Sequence, residues 1–66
     1  MTAEEVMEAR RRHGLPTRVT LMADCGSASV WAYNRIQAEC AAALELGVSL
    51  WDVHGAQMEL AKEAET

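Results

Sequence analysis

Apolar positions recur at helical spacing over most of this chain, and glycine, proline and capping residues break the pattern into segments. Thr2-Ala3-Glu4-Glu5 opens as a capping box, with acids in the first turn and Arg10, Arg11, Arg12 and His13 in the last. Gly14 fits the left-handed position beyond a helix end, Leu15 can fold back on it, and Pro16 stops continuation. A helix is therefore predicted over 3–13. Its apolar content (Ala3, Val6, Met7) suits docking on a core rather than forming one.

Farther on, Val30, Tyr33, Ile36, Cys40 and Leu44 recur at spacings of three and four. Trp31, Ala38, Ala42 and Leu46 form a second strip on nearly the opposite side. The two strips predict a long helix over 28–46 that is contacted from both sides. Residues 18–33 admit two readings. Val19–Ala23 alternates as a strand would, and Ala28–Ala32 could return as its hairpin partner. Thr17 is also a good helix cap, leucine, methionine and alanine favour helix, and Gly26 fits a helix stop. A short helix over 18–25 is preferred, with a β-hairpin over 18–33 as the alternative. A last helix is expected over 50–64, with Val53 and Leu60 on one flank and Trp51 and Met58 on the other. The expected fold is all-α: one small helical domain, 1–66, of three principal helices plus a short one.

The joint between the last two helices is the best-marked local feature. Gly47 can end a helix in the left-handed conformation, and Ser49 can cap the next with Asp52 as the reciprocal acid. Val48 and Val53 form the staple pair. So short a link predicts an antiparallel helical hairpin about Gly47. The spacing of Ala43, Gly47 and Val53 resembles the joint of DNA-binding helix-turn-helix proteins. That resemblance covers about twenty residues and implies a recognition helix beginning at Leu50.

Composition changes the picture in two ways. Half of the 66 residues are nominally hydrophobic, but twelve of these are alanine and there is no phenylalanine, so large core-forming side chains are scarce. Chains this small often rely on partners for stability, and a homo-oligomer or a protein partner is the natural expectation. Second, the net charge of −4 is uneven. In 1–33, Arg10, Arg11, Arg12 and Arg18 balance four acids, whereas in 34–66 Arg35 and Lys62 face six. The acidic half should repel phosphate backbones. No apolar run of about 18 residues suggests a membrane span. Acids near Met1 stand where a signal peptide would carry bases, so a cytoplasmic location with reduced thiols is expected.

Chemistry-bearing residues are few. His13, Cys25, Cys40 and His54 lie twelve to fifteen residues apart, without the close pairs that preorganise a metal site. Cys25 or Cys40 with a histidine could in principle make a nucleophile, but no recognisable signature surrounds either. Neither an enzyme nor a cofactor or metal is expected. The favoured function is a non-catalytic helical interaction module that self-associates or docks on a protein through Trp31, Leu46, Trp51, His54 and Met58. The alternative is a dimeric helix-turn-helix regulator reading DNA through a second, weaker register at Gly26. Arg10, Arg11, Arg12, Arg18, Asn34 and Arg35 would then contact nucleic acid. A further alternative is an acidic inhibitor or antitoxin-like partner of a basic protein.

Overall fold

The computed structural model describes residues 1–61. Its elements are α1 (Ala3–Arg11), β1 (Thr17–Ala23), β2 (Gly26–Ala32), α2 (Arg35–Leu46), α3 (Leu50–Val53) and β3 (Gln57–Leu60). The three strands form one antiparallel sheet in the order β2-β1-β3. The fold is mixed α/β, which corrects the all-α expectation and with it the helical hairpin about Gly47.

Each difference has a physical cause. Residues 17–32 take the hairpin alternative because the alternation along both strands puts one face in the core: Thr17, Val19 and Leu21 pair with Ala32, Val30 and Ala28 on the buried side. Helix propensity of leucine, methionine and alanine is worth tenths of a kcal/mol per residue, less than burial of that face. Asp24 and Cys25 form the turn without positive φ, so the reversal is completed at Gly26, whose φ is 139°. A Cβ there would also stand 3.3 Å from the Leu46 side chain.

The helix expected over 28–46 begins only at Arg35. Asn34 holds an extended φ/ψ and its Oδ1 accepts the Gln37 N–H at 2.8 Å, an N-cap that ends strand and starts helix within two residues. The helix expected over 50–64 is a single turn, α3. Gly55 at φ 75° turns the chain back, and Gln57–Leu60 pairs with β1 from Val19 to Met22. That segment favours helix locally; the free edge of β1 imposes the strand. Residues 62–64 of the expected helix lie outside the described residues.

The local punctuation at Thr2 and Gly47 agrees with the structure. The Thr2 hydroxyl accepts the Glu5 N–H at 3.2 Å, and Glu5 accepts the Thr2 N–H at 2.7 Å. Gly47 is left-handed at φ 69°, the Val48 N–H returns to the Ala43 carbonyl, and Asp52 accepts the Ser49 N–H at 3.2 Å. Helix α1 stops at Arg11 rather than His13, with Gly14 left-handed beyond it.

Helices α1 and α2 both cover the inner face of the sheet. The core joins Ala3 and Met7 of α1, Val19 and Leu21 of β1, Ala28, Val30 and Ala32 of β2, and Ala38 and Ala42 of α2. Among the described residues, the large side chains buried completely are Met7, Leu21, Val19 and Val53. The other face of the sheet is open and carries Arg18, Ser27, Ser29, Trp31 and Glu59.

Candidate functional site

Alanines on α2 let it lie close to the sheet, and one acid, Glu39, goes down with them. A buried carboxylate must be fully hydrogen-bonded to persist. Glu39 Oε2 accepts from Arg35 Nε at 3.1 Å and from the Gly55 N–H at 3.0 Å, and Oε1 lies 3.1 Å from His54 Nδ1. Arg35 also donates to the Ala56 carbonyl and reaches Glu4 Oε1 at 3.4 Å. Burial pushes the Glu39 carboxyl up, but the Gly55 N–H, the hydrogen bond and charge of His54 and the Arg35 guanidinium outweigh it. They hold the group below the usual glutamate value. The result is a clasp joining α1, α2 and the α3–β3 connection.

His54 is mostly exposed beyond Nδ1, and the Trp51 ring stands edge-on to it with centroids 5.6 Å apart. A carboxylate-oriented imidazole can act as a base when a nucleophile or substrate meets its other nitrogen. The exposed thiols lie elsewhere, Cys25 in the β1–β2 turn and Cys40 on the outer side of α2. Among the described residues, no group of three or more His, Cys, Asp or Glu is arranged to hold a metal.

The five apolar-interface residues expected from the sequence do not come together. Trp31 is on the open face of β2, Leu46 and Met58 pack against the core, and Trp51 and His54 are neighbours. Their dispersal follows from residues 26–32 and 57–60 being strands. A different apolar set emerges on the helical side. Ile36, Cys40 and Leu44 follow one another at i, i+4 on the outer surface of α2, beside the Glu39–Ala43 row that carries α3. Ile36 is 73% exposed, Leu44 84%, and Trp51 on the adjoining turn 79%. The spacing of Ile36 and Leu44 is legible in the sequence, but nothing in it says which strip of α2 faces the sheet. Glu39 was missed altogether; its signal is the i, i+4 pairing with Arg35.

The six residues considered for nucleic-acid contact are also dispersed. Arg11 is engaged by Glu8 at 2.7 Å, with Arg12 Nε 3.7 Å from the same acid, and Arg10 donates to the Pro16 carbonyl. Asn34 and Arg35 serve the cap and the clasp. Arg18 lies on the open sheet face. The register at Gly26 is a β-turn, and the joint at Gly47 leads into four helical residues rather than a recognition helix. No helix among the described residues is long and apolar enough to cross a membrane. Comparison with protein families, with curated proteins and with solved structures finds no match for this chain.

Proposed function

We propose that this chain is a non-catalytic protein-interaction module, and that its docking surface is the α2–α3 face bearing Ile36, Leu44 and Trp51. The observation that carries the reading is the exposure of these three large side chains where, among the described residues, four large ones are fully buried. Burying each on a partner is worth about 1.5–3 kcal/mol, enough together to offset part of the cost of association. The partner is a protein surface with an apolar centre and a basic rim. Glu45 and Asp52 are exposed beside the apolar residues, and no lysine or arginine follows Arg35 on α2 or occurs on α3. Trp51 is the anchor, a rigid aromatic that buries much area at low entropic cost.

The test is retention of a stoichiometric protein partner on the immobilised chain, compared between wild type, Leu44→Glu and Trp51→Ala. Both variants should lose the partner by more than about tenfold in affinity while keeping the wild-type circular dichroism. Retention should also weaken at high salt. A partner held equally by all three proteins would place docking on another surface.

A further inference from the structure

The two edges of the sheet are built differently. Strand β3 is short, four residues, and carries Glu59. Strand β2 is seven residues long, Gly26-Ser27-Ala28-Ser29-Val30-Trp31-Ala32, with no charge and no proline, and among the described residues it pairs only with β1. Natural sheets blunt exposed edges with charge, proline, bulges, brevity or a cover. The continuous register from Thr17↔Ala32 to Ala23↔Gly26 contains no bulge, and Ser27, Ser29 and Trp31 are all exposed.

The direction of the free backbone groups follows from one hydrogen bond. The Arg18 carbonyl accepts the Ala61 N–H at 3.1 Å, so Arg18 turns its backbone polar groups toward the β3 side. In an antiparallel ladder, its partner Trp31 then turns its own N–H and C=O away from β1. By the two-residue period, Ser29 and Ser27 do the same. Three consecutive outward-facing residues therefore present unpaired donors and acceptors along an uncharged edge.

We propose that β2 pairs with β2 of a second copy of this chain, antiparallel and centred on Ser29, making one continuous six-stranded sheet. This surface is separate from the α2–α3 face, and the inference stands or falls without the docking reading. The sequence of β2 is self-complementary in this register. Ser29 meets its own copy, and Trp31 of each chain lies opposite Ser27 of the other, a large side chain over a small one on the open face. On the inner face, Ala28 meets Val30 of the other copy. The three outward-facing residues of each chain exchange about six N–H···O bonds across the two-fold axis. A strand of different sequence would lack the Ser27–Trp31 match.

The experiment combines sedimentation equilibrium with amide exchange resolved by residue, on the full chain at concentrations up to about 1 mM. A dimer is expected, with exchange at the Ser27, Ser29 and Trp31 amides slowing at least tenfold as concentration rises through its dissociation constant. Ser29→Pro removes an outward-facing N–H while leaving the β1–β2 ladder its donors, and should weaken the dimer more than tenfold. Ser29→Lys, which sets like charges opposite each other at the axis, should do the same and decides the matter if the proline variant fails to fold. Leu44→Glu should dimerise as wild type. A chain that stays monomeric throughout the range overturns the proposal. So does a dimer whose three edge amides exchange at the monomer rate, or one that Ser29→Lys leaves intact.

Discussion

Glu39 is the residue whose chemistry most constrains the molecule. It is a buried acid whose hydrogen-bond partners are Arg35, His54 and the Gly55 N–H. Replacing the carboxylate with an amide, Glu39→Gln, keeps the shape but sets an NH₂ among groups that donate. A loss of about 2–4 kcal/mol in unfolding free energy is expected, read from the urea midpoint at unchanged m-value. An effect under about 0.5 kcal/mol would mean that solvent replaces these bonds freely. The pH dependence has a definite sign. Because the folded state holds Glu39 below its ordinary value, its contribution is complete above the unfolded glutamate pKa and is lost as pH falls through the folded one. Wild-type stability should therefore drop on acidification below about pH 4.5, and Glu39→Gln should show a shallower drop.

At the scale of elements, the capping box at Thr2 and the glycine stops were legible, whereas the class of element and the start of α2 were not. Thr2, Gly14, Gly47 and Ser49 act within a few residues of themselves, so their chemistry can be read locally; Asn34 acts as locally, but the helical spacing that runs through it hid its cap. Strand β3 cannot be read that way. Gln57-Met58-Glu59-Leu60 favours helix, and only pairing with a strand nearly forty residues earlier makes it extended. Strand β2, with its serines and alanines, hides its strand character in alternation of burial rather than in β-branched residues. The apolar side of α2 was ambiguous for a related reason: two strips were visible, and which one met the sheet depended on a sheet that local propensity argued against. The cap at Asn34 is where strand gives way to helix, and it can be tested. Asn34→Ala should cost about 1 kcal/mol and speed amide exchange at Gln37 while Ala42 and Ala43 keep their protection. Equal loss of protection along all of α2 would show that the helix has no separable first turn.

At the scale of the whole molecule, the sequence indicated a small core with surplus apolar surface. Of the predicted set the structure leaves Trp51 and Trp31 exposed and packs Leu46 and Met58 against the core, and it adds Ile36, Leu44 and a bare strand edge to the exposed apolar surface. Two neighbours flank β1, but they join it on different schedules. Its hairpin with β2 spans adjacent sequence, whereas β3 must be brought back across α2 and α3. Loop-closure entropy favours the first pairing, so the hairpin is expected to form early and β3 to join late. The β3 side of β1 is thus expected to be a seam that closes last and opens first. Amides of Thr20 and Met22, which point into that seam by the same alternation as Arg18, should exchange through smaller openings than those of Val19 and Leu21. Identical opening energies for both sets would mean that the sheet has no seam and comes apart as one unit. Until Gln57–Leu60 has paired, the central strand carries one uncovered side, so the order of pairing, and not composition alone, governs how exposed this protein is to association while it folds.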